Sequence, residues 1–274
     1  MPGDGELGSG ASIGRSEMVI FGIALVVAAV VGFFFMRRAR DRLHAMIGTE
    51  TLPVSELERL RQVSDELGAR GGFRKVCEVV GAAHPSPEGP LKSELSGTEC
   101  VWHRHVVKRR YEHVQYRDGR RHVSRRTEVV AQRTSWQGYA IRDDEGTLIG
   151  VDPNGTDPDR PEQVVNRFEP YRPQGPSLFG IQLPNIFDTS STIGYEYQEW
   201  VIRPGQRLYV LGEVHDKIGP LVIGKPEQGG HFIISTRSEE EVRASTRTQH
   251  RALAIGIPIA AVAGLVLVVV GAIS

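Results

Sequence analysis

Three side chains that commonly bind metals stand close together in the chain: Cys100, His103 and His105. A structural zinc site needs four such ligands in a tetrahedral arrangement. The surrounding residues favour a strand, on which His103 and His105 face one side and Cys100 faces the other. A zinc site would therefore need a distant residue such as Cys77 or His84, and we expect no metal or other cofactor. Both cysteines are interpreted as small buried residues.

The segment Asp143-Asp144-Glu145 could supply carboxylates for acid-base chemistry. Gly146 follows directly, which is typical of a turn where acidic side chains hydrogen-bond to nearby backbone amides. The sequence contains no His-Glu-x-x-His helix and no phosphate-binding loop ending in Gly-Lys-Ser or Gly-Lys-Thr. We therefore expect no catalytic site.

The richest charge feature is a basic stretch between residues 103 and 133, where ten Lys and Arg side chains stand against three carboxylates. The ten are Arg104, Lys108, Arg109, Arg110, Arg117, Arg120, Arg121, Arg125, Arg126 and Arg133. Beside a membrane, anionic lipid would attract each of them by about 1 kcal/mol. We predict that this basic patch binds anionic lipid or a protein partner, and the alternative is a solvated hairpin without a partner.

Nucleic acid is a competing partner for the same patch, because its phosphates attract lysine and arginine. Tyr111, Tyr116 and Trp136 are interleaved with the basic residues and could stack on bases. No recognised nucleic-acid-binding motif accompanies them, so we rank a membrane-tethered nucleic-acid binder behind lipid and protein partners.

The elements that would hold this patch begin with two apolar stretches. The overall charge is balanced, with 33 Lys+Arg against 33 Asp+Glu, but residues 18–36 and 252–274 contain no charged side chain and no histidine. At ~1.5 Å per residue each is long enough to cross a hydrocarbon core of roughly 30 Å. We predict a two-span membrane protein.

Arginines follow the first span at positions 37, 38, 40 and 42 and precede the second at 243, 247 and 251. Because basic flanks remain on the cytoplasmic side, we expect a multi-pass protein of the cell membrane with a cytoplasmic central domain. The prediction comprises an extracytoplasmic tail (1–17), a first span (18–36), a juxtamembrane segment with an amphipathic helix (37–72), a β-rich domain (73–251) and a second span (252–274). Small residues recur every fourth position in both spans, at Ala24, Ala28 and Gly32 and at Gly256, Ala260 and Gly264. Such faces could pair the two helices or form a homo-oligomer.

A short helix is predicted after the first span, because Ser55 and Glu58 have the spacing of a capping box and Leu57, Leu60 and Val63 follow at helical spacing. From residue 73 onward apolar residues recur at every second position, which is typical of strands. Candidate strands cover residues 73–80, 100–116, 122–133, 139–142, 147–151, 194–202, 208–215, 220–223 and 232–235. Many short strands joined by glycine-containing turns indicate an antiparallel, barrel-like sheet. The proline-rich segment between residues 152 and 184 predicts a long irregular insertion.

Six blocks of the central segment together resemble the GIDE domain, also called the beside-a-membrane (BAM) domain, of membrane-anchored E3 ubiquitin ligases. The blocks are CEVVG at 77–81, PLKSELSGTECVW at 90–102, YAIRD at 139–143, GVDP at 150–153, LYVLGEV at 208–214 and FIISTRSE at 232–239. A following apolar stretch matches the two-span layout of the family.

The resemblance implies a role connected with ubiquitin transfer. In the ligases of this family a RING finger follows the second span, and a RING needs eight cysteine or histidine ligands for two zinc ions. The sequence ends at Ser274 without such a segment. We therefore expect a non-enzymatic binding or scaffold module, and the alternative is an E3-ligase-like protein that works with a RING from another chain.

Overall fold

The computed structural model describes residues 15–47, 49–117, 119–171 and 191–273. Within these ranges the chain forms three helices, α1 (Arg15–Ile47), α2 (Val54–Glu66) and α3 (Glu239–Ile273). The strands are β1 (Arg74–His84), β2 (Leu91–Lys92), β3 (Glu99–Cys100), β4 (Trp102–Arg117), β5 (Arg120–Thr134), β6 (Tyr139–Arg142), β7 (Leu148–Val151), β8 (Glu162–Pro170), β9 (Thr192–Ile202), β10 (Arg207–His215), β11 (Val222–Gly224) and β12 (Ile233–Ser235). Two compact units result, one containing α1 and α3 and the other spanning Thr49–Glu239.

Helix α1 carries the longest apolar stretch of the first unit. Its segment Ile20–Arg37 has a mean hydropathy of 2.4 over 18 residues, which is long and apolar enough to cross a membrane. Helix α3 carries a shorter apolar segment, Ala254–Val270. Among the described residues, one helix therefore has the length and composition of a span, and the second span stays a prediction.

Helices α1 and α3 approach each other closely at two glycines. A Cβ atom added to Gly22 would lie 2.8 Å from the carbonyl oxygen of Gly264, and one added to Gly264 would lie 2.9 Å from that of Gly22. Side chains larger than hydrogen would separate the helices here. The small-residue faces expected from the sequence differ in part from this contact, since three of their members are exposed: Ala24, Ala28 and Gly256.

Five strands of the second unit close into a barrel. Their order is β1, β6, β7, β11 and β10, and β10 pairs back to β1. Strand β12 adds to β10 outside the closed ring. The pairings are antiparallel except that between β7 and β11, which is parallel. The expectation of a mainly-β, barrel-like domain is confirmed.

Alternate apolar side chains of these strands fill the barrel. Val79, Ile141, Val210 and Ile223 are fully buried and form one core. Helix α2 joins that core through Leu57 and Val54, whereas its Leu60 and Val63 are exposed. The capping box expected at Ser55 is wrong, because the helix begins at Val54 with Pro53 as its N-cap residue.

The remaining long strands form a four-stranded sheet in the order β5, β4, β9 and β8. Strand β8 lies inside the segment that was expected to be irregular, and it pairs with β9 from Glu162 to Pro170. Pro161 directly precedes this strand and Pro170 is its last residue. An edge strand tolerates proline at its ends because one of its sides needs no hydrogen bonds. The later prolines of that segment, at positions 173, 176 and 184, lie outside the described residues.

Candidate functional site

The basic patch lies on the hairpin of β4 and β5, which is longer than the sheet that holds it. The two strands pair from Arg104 with Thr134 to Arg117 with Arg120. Strand β9 accompanies β4 only as far as Tyr111. Beyond that point β4 and β5 pair only with each other among the described residues and form a two-stranded ribbon. We call residues 112–117 and 119–126 the distal ribbon; Asp118 of the expected turn lies outside the described residues, and Gly119 has a φ of 71°.

Five of the ten basic residues lie in or beside the four-stranded sheet, where polar groups of the same domain bind them. Arg104 pairs with Asp157, Arg110 with Glu196, Arg109 with Glu128 at 2.9 Å and Arg133 with Glu94 at 3.0 Å, while the Lys108 ammonium donates to the Gln198 amide oxygen at 2.8 Å. Arg109 is only 5% exposed. These five residues therefore make contacts within the domain, and a partner-binding role for all ten basic residues stays a prediction.

The other five basic residues belong to the distal ribbon. They are Arg117, Arg120, Arg121, Arg125 and Arg126, and all five are exposed. The described part of the chain holds no ion pair to any of them. Their charge is therefore available to a partner outside the domain.

One face of the distal ribbon combines two of these arginines, Arg121 and Arg125, with apolar side chains. Val114 lies opposite Val123, and Tyr116 lies opposite Arg121. Tyr116 is 76% exposed and Val123 is 48% exposed. Counting charges along the sequence missed the two valines, although their alternation with the arginines is visible once the register of the hairpin is known.

Buried carboxylates elsewhere in the domain serve the fold. Glu199 accepts hydrogen bonds from the Leu95 amide at 2.7 Å and from the Ser93 hydroxyl at 3.0 Å. Glu78 accepts from the hydroxyls of Tyr209 at 2.7 Å and Thr51 at 2.9 Å. Because these partners lie in turns and strands of the same domain, the two glutamates connect segments that are distant in the sequence.

The turn carboxylates behave in part as expected. Asp143 accepts from the backbone amides of Glu145 at 3.1 Å and Thr147 at 2.8 Å, which is the local hydrogen bonding predicted for the turn. The same side chain also accepts from the Val54 amide at 3.0 Å, a long-range contact that the sequence did not reveal. Asp144 is exposed and pairs with Arg207 at 3.1 Å.

Cys77, Cys100, His103 and His105 of the metal hypothesis are buried, and His84 is half-buried. His103 and His105 share one face of β4, with the Nδ1 atom of His105 lying 3.4 Å from Glu94. Burial lowers the pKa of both imidazoles below the usual value and raises the pKa of the Cys77 and Cys100 thiols to about 12. In the described part of the chain, no group of three or more His, Cys, Asp or Glu residues is placed to hold a metal ion.

Comparison with known proteins gives one finding. The family model described as GIDE, E3 ubiquitin ligase, matches residues 108–270, which is more than half of the chain. The match contains most of the hairpin, the four-stranded sheet and the strands from β6 to β12. No curated protein and no solved structure matches the chain.

Proposed function

Since the chain belongs to the GIDE family, we propose that it is a membrane-anchored, non-enzymatic binding module whose distal ribbon binds anionic phospholipid headgroups at the cytoplasmic face of the cell membrane. The observation that carries this proposal is the set of five exposed arginines without ion pairs in the described domain. Exposed Val114, Tyr116 and Val123 add an apolar surface for the interfacial region of a bilayer.

Charge and location support the same assignment. Near an anionic surface, each basic side chain contributes about 1 kcal/mol, so five together are sufficient for reversible binding. The apolar segment of α1 and the arginines at its end would keep the domain beside the inner leaflet. A tethered domain needs only weak binding, because anchoring keeps its effective concentration at the surface high.

Vesicle flotation tests the lipid contact directly. The segment Thr49–Glu239 has its own core and can be mixed with vesicles of neutral phosphatidylcholine or of phosphatidylcholine with anionic phosphatidylserine. We expect binding to the anionic vesicles, weak binding to the neutral ones and release at high salt. Equal binding to both vesicle types, or to neither, would contradict the proposal.

Two variants with the same loss of positive charge distinguish binding by the distal ribbon from binding by the overall charge of the domain. One variant replaces the five distal arginines by glutamine. The control replaces five exposed basic residues outside the ribbon: Arg59, Arg70, Lys92, Arg142 and Lys225. We expect at least tenfold weaker vesicle binding for the first variant and little change for the control. If the ribbon instead binds a protein or nucleic acid, the wild type will not float, and it will be retained on that partner alone.

The family description supports a second candidate, a ligase-associated role in which another chain supplies the RING. The barrel and sheet would then recruit a substrate or the RING protein itself. The test is purification of the full chain from native membranes, followed by a ubiquitin-transfer assay on the complex. We expect a zinc-dependent RING protein to co-purify, and purification without one would remove this candidate.

A further inference from the structure

A groove of about 350 Å³ opens on the face of the four-stranded sheet that carries Trp102, Arg104 and Lys108. Strand β9 contributes Trp200 to the same surface, and the connection between β7 and β8 contributes Pro158 and Pro161. The volume lies within the range typical of small-molecule sites.

The regular alternation of two strands builds the floor of the groove. Trp102, Arg104 and Lys108 occupy every second or fourth position of β4 and therefore share one face. Trp200 lies directly opposite Arg104 in the pairing of β9 with β4. Two indole rings and two basic side chains thus line the same groove, with the Trp102 ring almost fully buried beneath it.

The wall of the groove is fixed in place by the barrel. The Asp159 amide donates to the Ile234 carbonyl at 2.8 Å, and the Thr236 amide donates to the Asp159 carbonyl at 3.2 Å. The Asp159 carboxylate also accepts from Arg237 Nε at 2.7 Å. Since Asp159 lies between the two wall prolines, these bonds hold the groove open, and a ligand would not have to order this segment.

Two hydrogen-bond donors of the floor have no partner in the domain. Trp102 is 1% exposed, and its indole Nε1 is buried without a hydrogen-bond acceptor. The Nε atom of Arg104 is buried in the same way. Both atoms are shielded from solvent, so the accessible donor of the groove is the Lys108 ammonium.

The charge of the groove indicates the sign and size of the ligand's charge. The Arg104 guanidinium is paired with Asp157, another lining residue. The Lys108 ammonium donates to the neutral Gln198 amide, and no carboxylate of the described residues pairs with it. One cation thus lacks a counter-charge, which fits a monoanion, whereas Asp157 would repel a multiply charged phosphate.

We propose that this groove binds a small organic acid. Its carboxylate accepts a hydrogen bond from the Lys108 ammonium. Its apolar body packs against Trp102, Trp200 and the two prolines of the wall. The site lies in the sheet and not on the distal ribbon, so it does not depend on lipid binding.

A fluorine NMR titration tests the groove with the full chain in nanodiscs of neutral lipid. The probes are 4-fluorophenyl alkanoates with one to four methylene groups, each compared with its uncharged amide. We expect at least one acid to bind, with line broadening that saturates, and its amide to bind at least tenfold more weakly. Absence of binding by every acid of the series, or equal binding of acid and amide, would overturn the proposal.

Three variants locate the binding site. Lys108→Gln and Gln132→Glu should each weaken binding of the acid at least fivefold, the first by removing the cation and the second by adding a negative charge to the lining. Gln132 is exposed, so its replacement preserves the fold if Lys108→Gln does not. Arg121→Gln on the distal ribbon should bind like the wild type. Wild-type affinity in both groove variants would show that the acid binds elsewhere.

Discussion

The carboxylate of Asp143 accepts a hydrogen bond from the backbone amide of Val54, 89 residues earlier in the chain, at 3.0 Å. Val54 is the first residue of α2, and amides at the start of a helix lack partners within the helix. Its N-cap residue, Pro53, makes no side-chain hydrogen bond to cap the helix. The turn between β6 and β7 therefore caps α2 and fixes where the helix meets the barrel.

Replacing Asp143 by alanine should lower the free energy of unfolding of Thr49–Glu239 by at least about 1–2 kcal/mol, because the variant loses the helix cap and also two hydrogen bonds within the turn. The measurement is equilibrium unfolding in urea. Asp144→Ala is the matched control. The Asp144 side chain is exposed, and among the described residues its ion pair is with Arg207. Equal losses in the two variants would show that the hydrogen bonds of Asp143 to Val54 and to the turn are not stabilising.

The stability of the domain should decrease when the pH falls below about 6.5. Burial lowers the pKa of His103 and His105 in the folded protein, although Glu94 and Glu199 nearby oppose this shift and Arg133 adds to it. The unfolded chain then binds protons at a pH where the folded domain does not, so protonation favours unfolding. The contribution is fully present above the usual imidazole pKa of 6.5 and is lost as the pH falls from there toward the lowered folded-state pKa.

The histidine prediction is checked by urea unfolding at several pH values between 7.5 and 5.5. His103→Gln/His105→Gln should show a shallower dependence on pH than the wild type. His122→Gln, on the exposed part of the hairpin, should keep the wild-type slope. Some slope should persist in the double variant, because burial also lowers the pKa of His215.

Leucine at Gly264 should separate α1 from α3. An added side chain would meet the Gly22 carbonyl and the Leu25 side chain at about 3 Å. Spin labels at exposed Phe35 and Ile255 in nanodiscs report the distance between the helices. We expect Gly264→Leu to lengthen and broaden that distance distribution. Gly256→Leu is the control, since nothing lies within 4 Å of its added Cβ, and an effect of equal size there would contradict the close glycine contact.

The two cysteines should resist alkylation in the folded protein. Burial raises the pKa of Cys77 and Cys100 from 9.0 to about 12, which reduces the reactive thiolate about a thousandfold at pH 8. The measurement is iodoacetamide labelling followed by mass spectrometry, with and without urea. Rapid modification of either cysteine without urea would show that its site opens to solvent.

Local periodicity was sufficient to predict the strands that form the barrel and the hairpin. It was not sufficient for the contacts that join them. Glu199 binds the turn at Ser93 and Leu95 across more than 100 residues, and nothing in the local sequence specifies such a partner. Tyr209 and Glu78 are likewise separated by 131 residues.

In the candidate site, too, the sequence indicated the local features but not the long-range contacts. The arginines were visible as a sequence feature, but their separation into paired and unpaired groups depends on partners from β5, β9 and distant loops. The groove needs Trp200 of β9 and the prolines before β8 as well as β4. Only the three-dimensional register brings these residues together. The irregular segment was predicted from its prolines, whereas two of them mark the limits of β8.

The ring closed by β1 has a practical consequence for recombinant work. The region matched by the family begins at residue 108, whereas β1, α2 and the first part of β4 precede it. A truncation starting at residue 108 would remove strand β1 from the barrel. Strands β6 and β10 would then have unpaired edges, and such edges tend to aggregate. Soluble fragments should therefore begin near Thr49, where the compact unit begins.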